Sequence, residues 1–205
     1  MKKLLLVAAF ALFAFTTAHS QEFRFGVKAG LNMASIGGDD TGMDGRTSFH
    51  AGGLVEIVLS DKFSLQPEIL YSSQGAKQEE SYSFFGVDVE EKITMKLDYI
   101  NVPIMAKYYI IEGLAVEAGP QIGVLISAKV DAEMSGGGES ESESADIKEY
   151  LNTLDIGFGL GVSYRLDMGV FFGARYVLGV SNINKDSDDG KNQNNVFQLS
   201  AGYTF

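Results

Sequence analysis

The chain has 205 residues, 45% hydrophobic and 21% charged, with 24 glycines, 3 prolines, no cysteine and a formal net charge of −11. That length suits one domain, either a sizeable core or a small barrel. The balance of 16 Lys+Arg against 27 Asp+Glu excludes the clustered positive charge of a nucleic-acid binder. The lack of cysteine excludes disulfides, thiolate metal sites and a cysteine nucleophile.

At the start of the chain, Lys2 and Lys3 precede an apolar run from Leu4 to Phe15, and small or polar residues follow to Ser20. This pattern predicts a secretory signal segment over 1–20, with Ala18 and Ser20 at the cleavage positions before Gln21. The apolar run is shorter than the ~20 residues that span a bilayer as a helix. Residues 21–205 then form one domain.

From Phe23 onward the dominant period is two, which is the period of strands. Phe23, Phe25, Val27, Ala29, Leu31 and Met33 alternate with Arg24, Gly26, Lys28, Gly30 and Asn32. Further uncharged faces follow in chain order over 49–59, 63–71, 100–110, 114–126, 154–164 and 168–180, and 197–205 ends the series. Short turns are predicted near 60–62, 111–113 and 165–167, and long connections over 34–48, 72–98, 127–153 and 181–194. Strands of this length, joined by short turns at one rim and long loops at the other, predict an all-β fold. It is an eight-stranded, antiparallel, up-and-down transmembrane β-barrel with periplasmic turns and termini and outside loops.

The two faces decide which side meets lipid. One carries nearly all the large apolar and aromatic side chains; the other carries most of the glycines and single charges, as a crowded polar interior requires. Aromatic residues fall near the strand ends, Phe23, Phe63, Tyr164, Tyr203 and Phe205 at one rim and Phe49, Tyr71 and Phe197 at the other, as in two interfacial girdles.

Several motifs then coincide: Gly26-Val27-Lys28-Ala29-Gly30-Leu31-Asn32, Leu65-Gln66-Pro67-Glu68-Ile69-Leu70-Tyr71, Leu97-Asp98-Tyr99-Ile100-Asn101-Val102-Pro103, Ala118-Gly119-Pro120-Gln121, the stretch from Ala174 to Ile183, and the terminal Gly202-Tyr203-Thr204-Phe205. In this order and spacing the chain resembles the PorT-like outer-membrane β-barrel proteins of Bacteroidota. The resemblance implies the cell outer membrane and the barrel fold but carries over no activity, although PorT itself is associated with secretion. The terminal alternation ending at Tyr203 and Phe205 also resembles the signal read by the barrel-assembly machinery.

The charges predicted to face the lumen are Arg24, Lys28, Glu56, Glu68, Lys107, Glu117, Asp155 and Arg175, and enclosed charges must pair. Distance from the turns predicts Lys107 opposite Glu117 and Asp155 close to Arg175. It also brings Glu56 and Glu68 together, which calls for a cation such as Lys28 between them. A carboxylate pair could serve as a general acid and base, but a lumen filled by side chains favours a structural plug. Eight strands are also too few for a general diffusion pore.

A lipid A-modifying enzyme would need a histidine with a serine and a carboxylate at the outer rim. His50 lies beside Ser48 there, yet its parity with Glu56 turns it inward. The acidic run from Gly136 to Ser144 predicts a disordered, solvated loop. Divalent cations could meet that run or Asp186, Asp188 and Asp189, although Gly190 misses the EF-hand register. No residue is assigned to catalysis, a cofactor or a metal.

The expected role is a non-enzymatic structural or interaction protein of the envelope, with a closed polar lumen and acidic loops outside. Its partners are outer-membrane lipid and lipopolysaccharide, the barrel-assembly machinery during biogenesis, and surface or secretion proteins met by the loops. A secretion accessory of the PorT kind and a lipid A enzyme centred on His50 are the alternatives.

Overall fold

A computed structural model describes residues 22–38, 42–84, 87–136, 139–186 and 190–205. The predicted signal segment 1–20, Gly137 and Gly138 of the acidic run, and Asp188 and Asp189 lie outside them. The described residues form β1 (Glu22–Gly38), β2 (Asp44–Val58), β3 (Phe63–Phe84), β4 (Val87–Ile111), β5 (Leu114–Gly136), β6 (Glu139–Asp146), β7 (Leu154–Arg165), β8 (Val170–Gly179) and β9 (Asn192–Thr204). A single 3-10 turn, Lys148–Tyr150, separates β6 from β7.

All pairings between these strands are antiparallel, and β1 pairs with both β2 and β9, from Gly26↔Thr204 to Gly38↔Asn192 on the β9 side. The ring runs β1-β2-β3-β4-β5-β7-β8-β9 and back to β1, an eight-stranded barrel. Closure leaves no open edge in the wall, the condition for strands to stand in hydrocarbon. Alternation sets the two surfaces as the sequence predicts. Phe25, Ile69, Leu160 and Phe172 are each more than half exposed on the outside, while Lys28, Glu68 and Arg175 are buried inside. Aromatic pairs mark both ends of the wall: Phe63 with Tyr108 at 4.9 Å and Tyr203 with Phe205 at 5.4 Å at one rim, Phe49 with Tyr71 at 5.5 Å toward the other.

The three short turns are tight hairpins, and Gly113 sits in one at φ +79°. A side chain at this position would be strained and its Cβ would meet the Arg165 carbonyl oxygen. Gly113→Val is therefore expected to cost about 1–2 kcal/mol, measured as a lower urea midpoint of the folded barrel. A midpoint equal to that of the unaltered protein would show that the turn does not require glycine.

Three of the long connections differ from expectation. Residues 34–48, 72–98 and 127–153 are mostly strand: β3 and β4 stay paired out to Phe84↔Val87, and β5 continues to Gly136. The acidic run predicted to be disordered is largely β6, which pairs with β5 from Gly136↔Glu139 to Lys129↔Asp146. Alternating Glu and Ser keeps the two-residue period with only Ala145 apolar, and the strand is held by backbone pairing with a Ser144–Asp131 side-chain hydrogen bond beside it. β6 and β7 thus occupy successive stretches of one edge of β5, β7 from Leu114 to Val124 and β6 beyond Ala128. The outer halves of β3, β4 and β5, with β6, form a four-stranded sheet that stands beyond the barrel wall.

Candidate functional site

The lumen is organised in layers from the short-turn rim upward. In the first, Glu56 accepts from Ser64 Oγ at 2.6 Å and from the Tyr109 hydroxyl, with Arg24 at 3.8 Å and Lys107 at 4.0 Å. Arg24 also forks onto Glu22, at 2.8 and 3.1 Å.

The second layer is the most densely charged. Glu68 receives Lys28 Nζ at 2.7 Å, both Arg175 Nη atoms at 2.8 and 3.0 Å, and Gln66 Nε2 at 2.8 Å. Arg175 Nε turns to Glu117 at 2.7 Å, and Lys107 reaches Gln66 Oε1 at 3.1 Å. Arg175 stands on β8 and Glu68 on β3, four strands apart in a ring of eight, so this bidentate pair spans the full width of the lumen.

Three expected pairings change. Lys28 does not lie between two carboxylates but binds Glu68, because Leu54 stands opposite Glu68 and leaves Glu56 one pleat away in the layer below. Lys107 and Glu117 are indeed opposite each other in register, yet their side chains go to different partners, Gln66 and Arg175. Asp155 does not meet Arg175, which stands opposite Gly161. The β7–β8 turn lies over Leu166–Gly169 rather than 165–167, closed by Leu166 N to Val170 O and Gly169 N to Leu166 O. That shift moves Ser181 to Asp155, with a 2.6 Å hydrogen bond.

His50 lies in the third layer and is fully buried. Its Nδ1 is 2.8 Å from Asn32 Oδ1 and its Nε2 2.9 Å from Ser200 Oγ. Asn32 donates through Nδ2 to Ser72 and to the Ser73 carbonyl, so its Oδ1 is the acceptor. Nδ1 of His50 therefore carries the proton and Nε2 accepts. Ser48 instead donates to the Ser73 carbonyl at 2.6 Å. The histidine is thus held by an amide and a hydroxyl inside the wall, an arrangement suited to filling space and satisfying polar groups.

Above these polar layers lies an apolar cluster that the sequence did not disclose. Ile36, Ala76, Leu97, Tyr99, Leu125 and Ala128 point inward from the wall, and Leu151 and Ile183 fold down onto them from the connections. The last connection is tied in by Asn152 N to Ile183 O at 2.8 Å and Ile183 N to Asn192 O at 2.9 Å.

On the protruding sheet, Lys96 pairs with Asp131, which also accepts from Ser144 at 2.7 Å. These two hydrogen bonds hold the Asp131 carboxyl below the ordinary aspartate range. Among the described residues no group of three or more His, Asp or Glu side chains is gathered to hold a metal ion. Tyr203 and Phe205, the predicted assembly signal, face outward at the short-turn rim.

Residues 18–185 match the family described as outer membrane protein beta-barrel domain. No curated protein matches the chain. Among solved structures, the chain is similar to Neisserial surface protein A, with 15% identity over 88% of this chain and 97% of that one and a TM-score of 0.52. It also aligns with Ail, the attachment invasion locus protein of Yersinia pestis, at 15% identity over 90% and 99% of the two chains, with a TM-score of 0.49.

Proposed function

The chain belongs to the outer membrane protein beta-barrel domain family, and from that premise we propose a non-enzymatic interaction protein of the outer membrane that works through its protruding sheet. The observation that carries this reading is the filled lumen. The Arg175–Glu68 pair bridges it from wall to wall, and the Tyr99 cluster covers its mouth. A barrel sealed in this way offers no path for solute, which leaves the surfaces beyond the membrane for recognition.

In this reading the segment 1–20 directs export, and Tyr203 and Phe205 are read by the barrel-assembly machinery. The short turns and both termini face the periplasm; the long hairpins face outward. The affiliation with PorT-like proteins of Bacteroidota rests on the motifs quoted above and makes a secretion partner one candidate. The geometry of His50 favours the interaction role over lipid A chemistry, since its hydrogen-bond partners are Asn32 and Ser200.

Two measurements test the proposal. In planar bilayers the purified barrel is expected to give no steady conductance, and stable open steps of pore size would overturn the sealed lumen. Crosslinking on intact cells is expected to capture a discrete partner. Its capture should be lost when residues 79–92 and 133–142 are each replaced by a two-residue turn. Capture that does not depend on the hairpins, or none at all, would remove the recognition role.

A further inference from the structure

The protruding sheet has two chemically different faces, and the difference points to a partner. Directly opposed residues share a face, so the register sorts them. The side turned away from the barrel axis carries Lys77, Lys92, Lys96 and Lys129 among Glu79, Glu90, Asp131, Glu133 and Asp146. There the charges largely neutralise one another, with Lys77–Glu79 at 3.1 Å, Lys92–Glu133 at 4.0 Å and Lys96–Asp131 in contact.

The axis side is continuous with the buried Ala76, Leu97 and Ala128 of the mouth, and it has no basic residue among the described positions. Its rows are Glu80, Glu91, Met134 and Glu141, then Gln78, Ile93, Ala132 and Glu143, then Ala76, Met95, Val130 and Ala145. Four carboxylates therefore stand over an apolar floor, and Met134 remains 48% exposed. A hollow of about 470 Å³ opens beside Glu91, Met134, Glu141 and Glu143 of this face, at the edge where Glu133 and Ser142 of the other face also border it. The carboxylates come from three strands and no three converge as metal ligands. A spread of like charge with apolar side chains between suits an extended chain of alternating cationic and apolar residues better than an ion. We propose that this axis-side face docks a Lys- or Arg-bearing amphipathic polypeptide segment, an inference that rests on the interaction reading above and names its partner's chemistry.

The test uses the full barrel in phosphatidylcholine nanodiscs, empty nanodiscs as background, and a labelled peptide of alternating Lys and Val as probe. The peptide is expected to bind at low salt and to lose at least about tenfold in affinity at 0.5 M salt, as screened charges do. E80Q/E91Q/E141Q/E143Q is expected to weaken binding at least about tenfold, whereas E79Q/E90Q/D131N/E133Q on the other face leaves it within about twofold. Equal loss in both variants would reduce the effect to net charge and overturn the proposal, as would no binding to the unaltered protein. Oligolysine of the same length should bind at least about tenfold more weakly; equal affinity would overturn the role of the apolar floor. If cells expressing E80Q/E91Q/E141Q/E143Q still capture the hairpin-dependent partner, this inference fails while the interaction reading stands. If no capture depends on the hairpins, it is that reading which fails.

Discussion

Arg175→Ala is expected to lower the unfolding free energy of the barrel by about 3–5 kcal/mol, seen as a fall in the urea midpoint of the protein folded into vesicles. The guanidinium reaches across the lumen to two carboxylates, Glu68 of β3 through two hydrogen bonds and Glu117 of β5 through one. Its removal leaves Glu117 buried without its ion-pair partner and Glu68 with Lys28 and Gln66 only. The size of the effect comes from the stranded charge rather than from the lost attraction. A matched change should therefore cost much less. Arg175→Met with Glu117→Gln removes one charge of each sign and keeps the Lys28–Glu68 pair, and it is expected to recover at least about half of the loss. A midpoint for Arg175→Ala equal to that of the unaltered protein would show that water, not the guanidinium, satisfies these carboxylates.

Tyr99→Ala is expected to cost about 3–5 kcal/mol, as truncation of a large buried ring does, but its effect should be local as well as global. Tyr99 is 1% exposed and is the largest side chain of the apolar cluster that takes in Leu151 and Ile183. Without the ring, the amides of Asn152 and Ile183, now bonded to Ile183 O and Asn192 O, should exchange with solvent at least about tenfold faster. Amides of the β1–β9 pairing should keep their order of protection. Uniform acceleration along the whole barrel would instead show that the apolar cluster is part of one cooperative unit with the wall.

The outward wall was legible because lipid enforces the two-residue period: a charge at Phe25 or Leu160 would meet hydrocarbon, so the alternation there is clean. Pairing next to a turn was legible as far as the turn length was known. The Lys107↔Glu117 register followed from a tight turn, and Asp155 was misplaced because the β7–β8 turn reaches Gly169. The Arg175–Glu68 pair depends on a different quantity, the number of strands in the ring, which sets which strands face each other. Counting strands around the predicted ring of eight would have put β3 opposite β8. β6 escaped because Glu and Ser alternate with Ala145 as the single apolar residue, too little to mark a face. The Tyr99 cluster escaped because Leu151 and Ile183 sit singly in polar stretches, where one apolar residue gives no period to read.

The Arg175–Glu68 contact also orders events in time. Glu68 lies on the third strand and can meet Lys28 once the first three strands are together, but Arg175 arrives only with β8, next to last in the chain. Until then Glu117 lacks its cation and must stay hydrated, and the edges of β1 and β8 remain unpaired until β9 joins both. An incomplete sheet is thus too polar on its inner side to be left in hydrocarbon. The last two strands must join the sheet before the lumen can dry, so ring closure and completion of the charge network come together.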